Sequence, residues 1–274
     1  GDFVRESAIK PSFYWFGWTN NYMVEFAQFR LQRKNLEFAL TVGVVMSILY
    51  FAGSPHKGDL FFRLLVSILI GAAGFLGSFL CDRLLADGHE VIGMDNQVSG
   101  RAENLDDAFY HDRFSFYEHD VTEFIHISGE LDAILHLASL ASPVFYRDYP
   151  IKTLKVGALG THKTLGLAKE KDATYLFTST SEVYGDPEVN PQPEDYRGNV
   201  DPYGPRSCYD ESKRYGESLV RAYRDKHGLN VRVARIFNTY GPRMHPYDGR
   251  VVSNFILQAI RGENITLYGN GKQT

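Results

Sequence analysis

Tyr209 and Lys213 stand four residues apart in "SCYDESKRYGE" (207–217), within a stretch of helical patterning. Positions i and i+4 of a helix share one face, so this phenol and ammonium can reach into one space. A neighbouring ammonium favours phenolate and moves the phenol toward the pKa a general base needs near neutrality. With 17 tyrosines in the chain, a Tyr-x-x-x-Lys arises about once by accident, so the pair takes its meaning from its surroundings. "TSTSEVYG" (178–185) places Thr178, Ser179, Thr180, Ser181 and Glu182 at the end of an apolar run. Such hydroxyls either cap a loop through backbone bonds or form a polar pocket. In a pocket, a Thr or Ser hydroxyl can bond the substrate oxygen that the phenol meets.

A second constellation lies upstream. "GAAGFLGS" sets Gly71, Gly74 and Gly77 after an apolar run and at the start of a helical pattern. The first glycine permits a tight turn, the second a close approach to a pyrophosphate, and the third close packing of helix on strand. The helix start adds free N–H groups and the positive end of its dipole. Asp95 follows Gly77 by 18 residues and closes the next apolar segment. A carboxylate there binds both ribose hydroxyls and repels the extra phosphate of NADP, which points to NAD. Asp120-Val121 ends a further strand, either lining an adenine pocket or, for the aspartate, serving as a turn residue. Glycine fingerprint, strand-end hydroxyls and Tyr/Lys pair follow in the order of a nicotinamide-dependent redox site.

These groups need a scaffold that brings strand ends together. Strands are predicted at 63–70, 90–95, 114–120, 131–139, 174–185 (running into a loop) and 230–241, and helices at 78–88, 153–170 and 207–228. Alternating strands and helices imply βαβ units, hence an α/β, Rossmann-type doubly wound parallel sheet with ligands at the carboxyl ends of its strands. The predicted organisation is an N-terminal extension (1–60), an NAD-binding domain (62–240) and the start of a smaller, incomplete C-terminal lobe (241–274). The chain begins at Gly1 and stops at "YGNGKQT" without a closing element, which suggests part of a longer reading frame. The uncharged run 38–55, with Arg30, Arg33 and Lys34 before it, is read either as a short membrane segment or as a buried helix.

At 274 residues, 44% hydrophobic and 23% charged, the chain has an ordinary globular composition. Its net charge of −4 leaves no electrostatic footprint for nucleic acid. Two distant cysteines form neither a disulfide framework nor a metal site and fit a reducing, cytoplasmic setting; membrane anchoring through 38–55 is the alternative.

Residues 63–274 resemble extended short-chain dehydrogenases/reductases acting on nucleotide sugars, in particular the branch that decarboxylates UDP-glucuronate. The matching stretches include "GAAGFLGSFLCDRLL", "HLASLASPVFY", "STSEVYGDPEVNPQPE", "GPRSCYDESKR", "RIFNTYGPRMHPYDGRVVSNFILQAIRGE" and "LYGNGKQT". The resemblance implies tightly bound NAD, held by Gly71, Gly74, Phe75, Leu76, Gly77, Asp95, Asn96, Asp120, Val121, Leu137, Ala138, Tyr209 and Lys213. It implies Tyr209, Lys213, Thr180 and Glu182 as catalytic residues, oxidising the sugar at C4 so that the C5 carboxylate becomes a β-keto acid and leaves as CO2. Ser181 next to Glu182, where related dehydratases carry Asp-Glu, favours decarboxylation; Glu182 as plain surface polarity is the alternative.

The UDP-sugar is expected against Ser181, Asn238, Arg250, Asn254 and Tyr268, with surface solvation the other reading of Arg250 and Asn254. Arg206 either meets the sugar carboxylate bidentately or solvates a helix start. Family members dimerise through a four-helix bundle, which here implicates 153–170 and 207–228. Four positions depart from the family pattern: Ile70, Phe79, Leu140, and Gly157 where an Asn is usual. A dehydratase or epimerase, or a silent NAD-binding scaffold, are the competing expectations.

Overall fold

The computed structural model describes residues 65–267 and 269. The N-terminal extension, the apolar run 38–55 and Tyr268 lie outside the described residues. Six strands, all parallel, form one sheet in the order β3-β2-β1-β4-β5-β6. They are β1 (Val66–Ile70), β2 (Glu90–Asp95), β3 (Phe114–Glu118), β4 (Ala133–His136), β5 (Thr174–Thr180) and β6 (Val231–Ile236). The order reverses between β1 and β4, which splays their connections apart and opens a crevice at the carboxyl ends.

The two-residue period of each strand sorts its side chains onto two buried faces. Ile68, Ile70, Ile134, Tyr175 and Phe177 pack on one side with Leu165 and Val220. Leu69, Leu135 and Leu176 pack on the other with Leu80, Leu84 and Leu105. Each such side chain taken fully out of water contributes about 1.5–3 kcal/mol, which is why the strands read as continuous apolar runs.

The helices are α1 (Phe75–Ala86), α2 (Asp106–Phe109), α3 (Pro143–Asp148), α4 (Pro150–Lys155), α5 (Thr161–Lys171), α6 (Ser207–His227) and α7 (Val251–Arg261). The predicted helix at 78–88 begins three residues earlier, because Gly74 (φ −73°, ψ 171°) takes the extended N-cap conformation. The single helix predicted over 153–170 is divided into α4, a π-turn over Val156–Gly160, and α5. Gly157 explains the bulge: a Cβ there would lie 2.5 Å from Ser212 Cβ, so its absence lets the turn press onto α6. α6 runs as predicted and ends at Gly228 in the left-handed conformation.

Three helices escaped the sequence reading. α3 is announced by Ser142, whose hydroxyl accepts from Val144 N at 3.2 Å, with Pro143 at the first helical position. α2 is too short to show a period. α7 is amphipathic but has no buried residue, so no core contact identifies its inner face. Among the described residues no helix is long and apolar enough to cross a membrane.

Candidate active site

The nucleotide end is built from β1, α1 and β2. The Gly71 and Ala72 amides both bond to the Met94 carbonyl, at 2.8 and 3.2 Å, which folds the loop back over β2. Gly71 has φ +91°, and a Cβ on it would sit 2.7 Å from Ala138 N. A Cβ on Gly77 would overlap the Gly71 carbonyl. Glycine is therefore a steric requirement at both positions, and α1 opens with no side-chain cap over its N-terminus. That leaves a cradle of the kind a pyrophosphate fills.

Asp95 ends β2 and accepts from Ala73 N (3.0 Å) and Gln97 N (2.7 Å). Burial pushes its carboxyl above the usual range against those N–H groups. A small cavity of about 80 Å³ beside it is lined by Asp95, Asn96, Val121, Leu137, Ala138 and Lys152, among others. Asp120 does not line this cavity. Its Oδ1 accepts from the Thr122 amide and hydroxyl, and its Oδ2 from Asn96 Nδ2 (3.0 Å) and Lys152 Nζ (3.1 Å). Burial raises its carboxyl, but these bonds outweigh burial and hold it far below the normal range. Asp120 thus anchors two cavity residues, Asn96 and Lys152; Lys152 had no signal in the sequence.

The reactive end opens from the same crevice, since its cleft of about 330 Å³ shares Gly71, Gly74, Ser99, Leu137 and Ser139 with the smaller cavity. Phe75, Leu76 and Gly77 form one wall; Thr180, Ser181, Glu182, Arg206, Tyr209, Lys213, Asn238 and Arg250 also line it. Tyr209 is 7% exposed and stacks on Tyr146, with ring centroids 5.3 Å apart and planes 11° from parallel. Burial pushes its phenol up to about 12, opposed by the Thr180 hydrogen bond and the Arg250 charge. Lys213 Nζ donates to the Thr178 carbonyl at 2.8 Å and lies 5.2 Å from the Phe177 ring centre. Burial draws its ammonium down to about 8, and the Glu217 charge pulls the other way.

Glu182 is the second residue of the 3₁₀ turn after β5 (Ser181–Tyr184), its amide donating to Thr180 Oγ1 at 3.3 Å. Its carboxylate pairs with Arg206. Asp210 stands 3.9 Å from the same guanidinium, is buried, and has an Oδ1 with no hydrogen-bond partner among the described residues. Burial lifts its carboxyl to about 6, against Arg206 and with Glu182 adding to the rise. Arg206 therefore does more than solvate a helix start: it sits between two carboxylates at the cleft wall.

Other predicted residues fall differently. Ser179 borders the cleft, and its hydroxyl bonds Glu217 at 2.6 Å. Asn254 donates to the Gly249 carbonyl at 3.2 Å and is not among the cleft residues. Arg250 reaches the cleft with Asp248 beside it at 2.9 Å. Among the departures from the family pattern, Leu140 packs with Tyr146, Cys208 and Tyr209. Phe79 lies under the Arg243 guanidinium at 4.6 Å. Tyr146 and Asp210 were not anticipated: one acts through a ring face, the other through its place one turn after Arg206.

The family model described as "NAD dependent epimerase/dehydratase family" matches residues 67–274. A UDP-glucuronic acid decarboxylase 1 of Xenopus tropicalis is 56% identical over 207 residues, 76% of this chain and 49% of that protein. A UDP-glucuronic acid decarboxylase 3 of Arabidopsis thaliana is 53% identical over 223 residues, 81% of this chain and 65% of that one. The chain thus spans about half to two thirds of the length of these curated relatives. Among solved structures, a UDP-glucuronic acid 4-epimerase from Bacillus cereus in complex with NAD superposes with a TM-score of 0.66 at 26% identity, covering 76% of this chain and 68% of that one.

Proposed function

The chain belongs to the NAD dependent epimerase/dehydratase family, and from that membership we propose that it carries the catalytic core of an NAD-using UDP-glucuronate decarboxylase. The observation carrying the reading is the Glu182–Arg206 pair in the cleft that also holds Thr180 and Tyr209. A carboxylate substrate needs a guanidinium at this place, and oxidation at C4 needs the phenol.

The residues fit NAD: the glycine cradle would hold the pyrophosphate, Asp95 the ribose, and Val121, Leu137 and Ala138 the adenine side. Bound there, NAD supplies a reversible hydride acceptor. Tyr209, oriented by Thr180 and with Lys213 favouring phenolate, takes the proton of the sugar 4-hydroxyl. Arg206 meets the sugar carboxylate, exchanging its contact with Glu182. Once C4 is a ketone, the C5–carboxylate bond breaks and its electrons pass into the enolate as CO2 leaves. Glu182 then faces the carbon that is reprotonated, and Tyr209 returns its proton to the C4 oxygen as the hydride comes back. Positioned acid–base groups of this kind contribute about 10²–10⁴-fold in rate.

A 4-epimerase is the second reading, favoured by the structural neighbour that acts on the same acid. Incubation with UDP-glucuronate separates them: the proposal requires CO2 and a UDP-pentose, whereas an epimerase leaves the carboxylate in place. The protein is also read as a homodimer, because Leu154, Leu159 and Tyr215 are exposed on the helical segments that would form a bundle. A monomer by sedimentation at micromolar concentration would remove that part of the reading.

A further inference from the structure

Glu217 lies on α6 one turn after Lys213 and plays no part in the chemistry above. It nevertheless joins Ser179 of β5 to Arg235 of β6 behind the cleft. Ser179 Oγ donates to its Oε1 at 2.6 Å, from the residue between Thr178, which holds Lys213, and Thr180, which lines the cleft with Tyr209. Arg235 on β6 grips both carboxylate oxygens, Nε to Oε1 at 2.9 Å and Nη2 to Oε2 at 2.8 Å. The third guanidinium nitrogen, Nη1, donates to the Tyr184 hydroxyl and to the Glu194 carbonyl, each at 2.8 Å. The guanidinium also lies 4.9 Å from the Tyr184 ring centre. Tyr184 closes the 3₁₀ turn that begins with Ser181 and Glu182.

We infer that the Glu217–Arg235 pair is a positioning unit for the reaction: Glu217, one turn from Lys213, fixes the end of β5 through Ser179, while Arg235 holds the turn that presents Glu182. This rests on the proposed function for its catalytic meaning, although its electrostatic part concerns the folded chain alone. A bidentate guanidinium–carboxylate pair has the geometric rigidity such a role needs. A bare structural pair would not explain why its two ends attach to the strand and turn carrying the reactive groups.

The charged and titratable groups around Lys213 are few. Tyr209 and Glu217 share its helix, Arg235 faces Glu217 from β6, and His136 approaches from β4. Burial, then the Lys213 charge, draw the His136 imidazole down to about 3, so it is neutral and leaves Glu217 as the carboxylate acting on Lys213.

The test is the Lys213 titration in lysine-labelled protein followed by NMR, assigned with Lys213→Arg. Glu217→Gln keeps the shape and one acceptor but removes the charge. It should lower the Lys213 midpoint by about one pH unit and bring the alkaline limb of kcat down with it. Arg235→Gln leaves Glu217 charged and unneutralised, so the midpoint should rise while kcat falls about tenfold or more through a loosened Glu182 turn. An unchanged or raised midpoint in Glu217→Gln, or a lowered one in Arg235→Gln, overturns the inference; the second variant decides alone if the first does not fold. Failure of the wild-type protein to release CO2 from UDP-glucuronate would instead count against the proposed function, since the titration needs no turnover.

Discussion

The Lys213 ammonium is fastened to the Thr178 carbonyl at 2.8 Å, two residues before Thr180, whose hydroxyl opposes the rise that burial imposes on the Tyr209 phenol. Strand β5 thus holds both members of the acid–base pair from one side, while α6 carries them from the other. Lys213 needs no long-range search to find its place, because leaving β5 would strand a buried charge. Burial draws its ammonium down to about 8, where an exposed lysine titrates above 10.

Tyr209→Phe removes the proton acceptor and leaves the stack on Tyr146 intact. The expected result is a fall in kcat of about 10³-fold, within the range for acid–base groups, with NAD content unchanged. Loss of bound NAD in proportion to activity would mean that the phenol serves binding instead. Stopped-flow reading of reduced nicotinamide, alongside CO2 release, distinguishes the two.

Gly157 makes a sharper structural prediction. A Cβ would meet Ser212 Cβ at 2.5 Å, and Ser212 lies between Tyr209 and Lys213 on α6. Gly157→Asn, which restores the residue usual in the family, should therefore destabilise this chain by about 1–3 kcal/mol through overpacking. Unchanged stability in denaturant unfolding would show that the π-turn can relax at no cost.

How much of this was readable beforehand follows from what each residue depends on. The glycine loop, Asp95, Thr180, Tyr209 and Lys213 are local signals: each sits at a strand end or in a helix turn whose period is visible in the chain. Strands β1 to β6 were found because a sheet buried on both faces writes continuous apolar runs. Gly157 was identified as a departure, but its contact with Ser212 depends on how two helices cross, which no single stretch records. Asp120 reads as either an adenine or a turn residue, and its bonds to Lys152 and Asn96 are contacts that no single stretch records. Glu217 was readable in principle, four residues after Lys213, yet its link to Arg235 depends on how α6 packs against β6.

Asp210 gives a pH prediction with a definite sign. Its folded-state carboxyl sits at about 6, above the ordinary 3.8, so the folded protein holds the proton more tightly. The stability it contributes is full below about pH 4 and is lost as pH rises through about 6. Asp210→Asn has no such loss. Its melting temperature should exceed that of the wild type by a few degrees above pH 6, and the gap should close toward pH 4. A pH-independent difference would assign the effect to packing.

Asp95 tests cofactor choice. Its carboxylate closes β2 and lines the smaller cavity. Asp95→Asn should weaken NAD binding and narrow the preference over NADP by about tenfold, through loss of charge repulsion and of one acceptor. Calorimetric titration with both dinucleotides measures the ratio directly; an unaltered ratio would place the ribose elsewhere.

The central claim is that this cleft removes a carboxylate through transient oxidation at C4. Carboxyl-labelled UDP-glucuronate given to the full-length protein with NAD tests it most directly. The account predicts labelled CO2 and a UDP-pentose in equal amounts, with no net NADH at completion. A product that keeps its label, whether an epimer or a 4-keto hexuronate, would contradict it.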